Sequence, residues 1–73
     1  MPHIDVSLYP GRDQETKEKI ANAIRQVCID ELGFAANHVS VTLTDTPSDS
    51  FTDDVMARIN KDNIILESDL IKK

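Results

Sequence analysis

The chain has 73 residues, of which 40% are hydrophobic and only 4% aromatic. This length predicts a single domain, residues 1–73, and a chain of about this size buries only about 60% of its extended surface on folding. Cys28 is the only cysteine, so an internal disulfide is excluded, and His3 and His38 lack the spacing of a zinc site. We therefore expect a second copy of the chain to reinforce the fold.

The charge balance narrows the possible partners further. Eight Lys and Arg against thirteen Asp and Glu give a net charge of −5, and the largest basic cluster is Lys72 with Lys73. We therefore expect no nucleic-acid partner. The sequence also has no run of about 18 apolar residues that could span a membrane. The N-terminus lacks the pattern of a signal peptide and the thiol of Cys28 is alone, so we expect a cytoplasmic protein.

A period-two pattern at the start of the chain predicts a half-buried β-strand. The alternating residues are Pro2, Ile4, Val6 and Leu8 on one side, and His3, Asp5, Ser7 and Tyr9 on the other. The pair Pro10 and Gly11 ends this pattern, and Asp13 is a good N-cap for a helix that follows it.

Apolar residues then recur every three or four positions between Gln14 and Leu32, which predicts an amphipathic helix of about five turns. They are Ile20, Ala23, Ile24, Val27, Cys28 and Leu32. Gly33 stands where a left-handed residue would end the helix. Because Cys28 lies on the apolar side, we interpret it as a small buried side chain rather than a reactive thiol.

An alternating, β-branched segment after the helix predicts a second strand. Its apolar residues are Val39, Val41 and Leu43, and its polar residues are Ser40, Thr42 and Thr44. A strand, a helix and a strand joined by short links form a right-handed βαβ unit with parallel strands. One helix covers only one face of such a sheet, so the polar face requires a cover that we expect from another copy of the chain.

The rest of the chain predicts smaller elements. Residues 45–50 are a turn-rich connector, and Ser50 with Asp53 is a capping pair for a short helix. Residues 64–66 are apolar enough for a brief strand. The predicted fold class is therefore α+β: a βαβ unit with two parallel strands, one long helix and a short C-terminal helix or strand, completed by oligomerisation.

Two residues near the start of the chain could carry chemistry. A methionine before a small residue is normally removed, which would leave Pro2 as a free secondary amine, and an amine whose pKa lies near neutrality can act as a base. Arg12 precedes the helix N-cap, where the helix dipole disfavours a cation, and arginine is well shaped to bind a carboxylate. His3 and His38 are better interpreted as an outward strand residue and a loop residue than as bases.

These features occur in an order that resembles the 4-oxalocrotonate tautomerase family. The resemblance rests on Pro2 opening a strand, Gly11 and Arg12 at the turn, the helix length, the parallel second strand and Phe51. The start Pro-His-Ile-Asp-Val, the strand Val39-Ser40-Val41 and the ending Leu70-Ile71-Lys72-Lys73 are most similar to its dimeric, phenylpyruvate-tautomerase-like branch. The resemblance covers most of the chain.

The resemblance implies a cofactor-independent keto-enol tautomerase of 2-oxo or 2-hydroxy-enoic acids, with no metal or organic cofactor. It implies that Pro2 is the general base once Met1 is removed, that Arg12 binds the substrate carboxylate, and that Phe51 shapes the pocket. Where the hexameric branch has a second arginine, this chain has Ser40, which would bind the substrate as a weaker donor. A monoacid such as phenylpyruvate is then the expected substrate, bound by a homo-oligomer for which a dimer is favoured and a hexamer possible.

Two other functions remain open on the sequence alone. The first is a non-catalytic oligomeric binding module on the same scaffold, with the acidic residues 45–69 contacting a partner. The second is a hydratase or dehalogenase of unsaturated acids, which Ser40 and the missing second arginine disfavour. Only a tautomerase of the proposed kind needs a free Pro2.

Overall fold

The secondary structure follows the predicted order. A computed structural model describes all of residues 1–73. The elements are β1 (His3–Leu8), α1 (Gln14–Leu32), a 3₁₀ turn (Ala36–His38), β2 (Ser40–Asp45), α2 (Phe51–Arg58) and a second 3₁₀ turn (Lys61–Asn63). The α+β fold class and the parallel βαβ unit are confirmed. No helix combines the length and the apolar composition that a membrane span needs.

Both ends of α1 are formed as the sequence predicts. The Asp13 carboxylate accepts a hydrogen bond of 2.8 Å from the backbone N–H of Thr16, which satisfies one of the unpaired donors at a helix start. At the other end Gly33 has φ +75°, and its N–H donates to the carbonyl of Ile29 at 3.1 Å. Cys28 is buried on the inner side of the helix, as predicted.

The two strands pair in parallel, with His3 opposite Ser40 at one end and Leu8 opposite Asp45 at the other. The apolar residues of both strands therefore share one face, and α1 packs on that face against β2. An ion pair of 2.9 Å between Lys17 and Asp45 joins the first turns of α1 to the end of β2. The other face of the sheet carries the polar residues, most of which are exposed, and α2 reaches it through Arg58, which donates to the Ser7 hydroxyl. We call this polar face the open face.

The core inside one chain is small. Only 4 of the 73 residues are buried, and three of them are hydrophobic: Cys28, Val39 and Val55. Val27 and Leu32, which the sequence predicts on the apolar stripe of α1, are each 59% exposed. The two-stranded sheet therefore leaves part of the apolar stripe of α1 uncovered.

Two predictions for the C-terminal third are wrong in detail. Ser50 precedes α2 but donates its hydroxyl to Asp54, at 2.8 Å, and makes no capping bond to the backbone. Its ψ of 10° differs from the extended N-cap geometry seen at Asp13, so the hydroxyl is not aimed at the first turn. The strand at residues 64–66 does not form, since no strand pairs with it, and Ile65 and Leu66 are 90% and 88% exposed.

We expect Gly33→Ala to destabilise the protein by about 1 to 2 kcal/mol, because an L side chain at this positive φ is strained even though a Cβ would meet no neighbouring atom. Gly33→Asn should cost less, since asparagine tolerates the left-handed region better. Urea unfolding at one fixed protein concentration measures both. Equal stability of the alanine variant and the wild type would contradict the expectation.

Candidate active site

The four candidate site residues fall into two groups at opposite ends of β1. Pro2 and Ser40 lie at the start of the strands, where the carbonyl of Pro2 accepts a hydrogen bond of 3.2 Å from the N–H of Ser40. Arg12 and Phe51 both contact Tyr9, just past the other end: the guanidinium donates to the Tyr9 carbonyl at 3.0 Å. The rings of Tyr9 and Phe51 meet edge to face, with centroids 5.0 Å apart.

The length of β1 keeps these groups apart within one chain. An extended strand rises about 3.3 Å per residue, so the seven steps from Pro2 to Tyr9 span about 23 Å. An arginine side chain cannot bridge such a distance. One chain therefore presents Pro2 with Ser40 as one half-site, and Arg12 with Phe51 as another, and does not join them around a small molecule.

Hydrogen bonds connect the polar side chains across the open face of the sheet. His3 Nδ1 lies 2.7 Å from the Ser40 hydroxyl, and His3 Nε2 lies 3.2 Å from the Thr42 hydroxyl. The hydroxyls of Thr42 and Thr44 donate to the same oxygen of Asp5, at 2.6 and 2.9 Å. We call these five residues the polar ladder, because the parallel register sets the partners side by side on one face.

The sequence interpretation of His3 as an outward strand residue is confirmed, but its contacts with Ser40 and Thr42 were missed. The alternation marks the polar face of each strand, yet it does not say which residue of β1 lies opposite which residue of β2. The register pairs His3 with Ser40 and Asp5 with Thr42. That pairing converts two separate polar stripes into one connected network.

The ladder also affects the charge of Asp5. The hydroxyl hydrogen bonds from Thr42 and Thr44 lower its pKa below the ordinary value, and the nearby positive charge of Arg58 acts in the same direction. Arg58, from α2, donates to the hydroxyls of Ser7 and Thr46 at 2.8 and 3.3 Å. Asp5 is therefore a carboxylate at neutral pH, with α2 supplying the balancing cation.

The two concave regions of the chain lie away from the candidate residues. One, of about 470 Å³, is a groove in the C-terminal segment lined by Ile59, Asn60, Asn63, Ile64, Leu66 and Ile71. The other, of about 220 Å³, lies between α1 and β2 and is lined by Gln14, Lys17, Glu18, Ala21, Val41 and Leu43. Neither includes Pro2, Arg12, Ser40 or Phe51, and no cluster of three or more His, Cys, Asp or Glu is placed to hold a metal ion.

The fold and these half-sites define a class of small α+β proteins built on one βαβ unit, with a proline at the entry of the first strand. The chain matches the family model described as "Tautomerase enzyme" over residues 2–57, more than half of its length. It belongs to the tautomerase family. The resemblance found from the sequence is thereby confirmed at the level of the family, and the assignment to the dimeric branch stays a prediction.

A curated relative agrees with this assignment. The chain is 38% identical over 47 residues to a protein of Xylella fastidiosa (strain 9a5c) described as "Probable tautomerase". The aligned part is 64% of this chain and 57% of the relative, so the chain spans little more than half of the relative's length.

We expect the stability contributed by Asp5 to depend on pH. Its pKa in the folded protein is lowered from the ordinary 3.8, so the carboxylate stabilises the fold above that value, and the contribution disappears as the pH falls through the lowered pKa. Asp5→Asn should therefore have a lower urea midpoint than the wild type at pH 6. The difference between the two midpoints should be smaller at pH 3. Asp49→Asn, at an exposed turn residue, is the control. A difference between Asp5→Asn and the wild type that is the same at both pH values would contradict this linkage.

Proposed function

We propose that the chain is a cofactor-independent keto-enol tautomerase of 2-oxo and 2-hydroxy-enoic acids, with Pro2 as the general base. The observation that carries the proposal is the family match, which starts at Pro2 and includes Arg12, Ser40 and Phe51. Further support comes from the position of Pro2 at the start of β1, where its carbonyl accepts a hydrogen bond from the N–H of Ser40. The proposed domain is the whole of residues 1–73.

The base requires a free amine at Pro2, so the proposal includes removal of Met1. While Met1 is attached, the nitrogen of Pro2 belongs to an amide and has no basic lone pair. Once free, the secondary amine starts from an α-amino pKa of about 7.7 to 8.0, which apolar surroundings or a nearby cation lower further. A neutral amine near pH 7 can then remove a proton from the carbon next to a carbonyl.

The reaction needs only proton movements. Pro2 takes the proton from the carbon next to the 2-oxo group, and the electron pair of that C–H bond forms the enolate, with its negative charge on oxygen. Arg12 holds the carboxylate through two parallel hydrogen bonds, and Ser40 or a backbone N–H donates to the oxyanion. The protonated amine then gives its proton to that oxygen, which completes the enol. A positioned base of this kind contributes about 10² to 10⁴ in rate.

The two half-sites support a site shared between two chains. One edge of β1 pairs with β2 and the other edge is free. If the free edges of two β1 strands pair antiparallel about a two-fold axis, Pro2 of each chain comes close to Arg12 and Phe51 of the other. A homodimer of this kind has two equivalent sites. A hexamer remains the larger alternative, since dimers could also pack by the open face.

The side chains available favour a monoacid substrate. Each shared site would contain one arginine, Arg12, while Ser40 stands at the position of the second arginine in the hexameric branch. A second substrate carboxylate would then meet a neutral hydroxyl instead of a cation, and would lose a charge-assisted bond. Phe51 and Tyr9 supply an aromatic surface beside Arg12 that suits a phenylpyruvate-like side chain.

The unpaired, buried thiol of Cys28 fits a reducing cytoplasm, which is the proposed location of the protein.

We expect Pro2→Ala to lower the rate of ketonisation of enol-phenylpyruvate by about 10²-fold or more, because it replaces a secondary amine whose pKa and position suit the base. The rate is followed by ultraviolet absorbance, on protein that intact mass shows to lack Met1. Pro47→Ala, in the turn before α2, is the matched control and should keep the wild-type rate. A Met1-free wild type with no rate above buffer, or an unchanged rate in Pro2→Ala, would reject the tautomerase.

A site shared between two chains predicts that two inactive variants regain activity when they are refolded together. Pro2→Ala and Arg12→Ala proteins should each be nearly inactive, the second mainly through a raised KM for the carboxylate. Unfolding and refolding them together should restore up to about a quarter of the wild-type activity, since half of the dimers are hybrids with one intact site each. Arg25→Ala, on the exposed side of α1, is the control for losing an arginine. If hybrid dimers are shown to form and no activity is recovered, the site is not shared in this way.

A further inference from the structure

The hydrogen bonds of the polar ladder have a definite direction, because each hydroxyl has a single hydrogen to donate. The ionised carboxylate of Asp5 can only accept, so the Thr42 hydroxyl, 2.6 Å away, donates to it. With that hydrogen in use, the Thr42 oxygen must accept its second bond, at 3.2 Å, from Nε2 of His3. Nε2 therefore carries a hydrogen.

This arrangement determines the tautomer of neutral His3. A neutral imidazole has one N–H, and Nε2 carries it, so Nδ1 is left as an acceptor. The Ser40 hydroxyl lies 2.7 Å from Nδ1 and must donate its only hydrogen to it. While His3 is neutral, Ser40 can accept a hydrogen bond from another molecule but cannot donate one without breaking its bond to His3.

Protonation of His3 reverses the bond to Ser40. In the imidazolium both ring nitrogens donate, so Nδ1–H points at the Ser40 oxygen, which now accepts. The bond from Nε2 to Thr42 is unchanged. The Ser40 hydrogen is thereby released and can turn toward a different acceptor on the open face of the sheet.

We propose that His3 is a positioning residue whose protonation decides whether Ser40 can donate a hydrogen bond to the enolate oxygen of the substrate. Charged His3 releases the Ser40 hydrogen and neutral His3 retains it. The inference rests on the proposed function, because it requires Ser40 to face the substrate oxygen. His3 acts through Ser40 and need not touch the substrate.

The groups around His3 are of both signs. From its own strand come the carboxylate of Asp5 and the N-terminal amine, which after removal of Met1 belongs to Pro2 next to it. From β2 come only the neutral hydroxyls of Ser40 and Thr42. From α2 comes the guanidinium of Arg58, which is bound to Ser7 and acts on Asp5. Histidine is the side chain that changes charge within the physiological pH range.

The two protonation requirements oppose each other. Pro2 must be neutral to act as a base, which favours high pH, and His3 must be charged to free Ser40, which favours low pH. We therefore expect kcat of the wild type to fall on the alkaline side by up to about 10²-fold, the cost of losing one donor to an oxyanion. His3→Asn has an amide that does not titrate, so this alkaline fall should be absent from its profile.

A kinetic experiment separates positioning from a merely structural role. The pH profile of kcat is measured for Met1-free wild type, His3→Asn, Ser40→Ala and the double variant. The alkaline fall should vanish in both single variants, and the double variant should resemble Ser40→Ala. His38→Asn, at the end of the first 3₁₀ turn, is the matched control and should retain the fall. An alkaline fall that persists in His3→Asn overturns the inference.

A spectroscopic experiment tests the direction of the bonds without changing the ladder. In ¹⁵N-histidine-labelled His38→Asn protein, His3 is the only imidazole, and its nitrogen shifts report which nitrogen carries hydrogen. At alkaline pH we expect Nε2 to be protonated and Nδ1 not, and a neutral ring protonated at Nδ1 overturns the inference whether or not His3→Asn folds. An inactive Met1-free wild type overturns the proposed function and the inference together. Activity with the wrong tautomer or profile overturns the inference alone.

Discussion

The parallel pairing of β1 with β2 is the constraint on which the rest of the structure depends. Its register sets His3 opposite Ser40 and places every apolar strand residue on the face that α1 covers. Because strand side chains alternate, the same register gathers the polar residues on the other face. A shift of one residue in either strand would put apolar side chains on the open face and break the polar ladder. Core, open face and candidate chemistry are thus consequences of one pairing.

A further consequence of this pairing is that one chain does not bring its candidate site residues together. A six-residue strand holds Pro2 and Arg12 apart, and only 4 of the 73 residues are buried. The proposed second chain along the free edge of β1 would both bury more surface and bring the half-sites together. In such an assembly the contact that stabilises the fold would also bring Pro2, the proposed base, to Arg12, the proposed carboxylate-binding residue.

The polar ladder changes the hydrogen bonding expected of the Ser40 hydroxyl from its position in the sequence. As an isolated strand residue it is a simple hydroxyl donor. Beside His3, with Thr42 already committed to Asp5, its hydrogen is directed by the charge of an imidazole. Under the proposed function, Ser40 would be a weaker donor than an arginine and also a donor whose hydrogen the charge of His3 controls. Asp5 acts on Ser40 through the Thr42 hydroxyl and the His3 imidazole rather than by direct contact.

The sequence by itself determined the elements whose signals are local: the period of β1, the cap at Asp13, the left-handed end at Gly33 and the family resemblance built on Pro2. The strand period and the two helix ends depend on neighbouring residues only, and the resemblance depends on the order of features along the chain, so a linear pattern carries all of them. Tertiary structure decided the rest. The strand expected at residues 64–66 needed a partner that one chain does not supply, and Ser50 turned to Asp54 because its backbone is not extended. The ladder depends on a register between segments 37 residues apart, which alternation within each strand cannot specify.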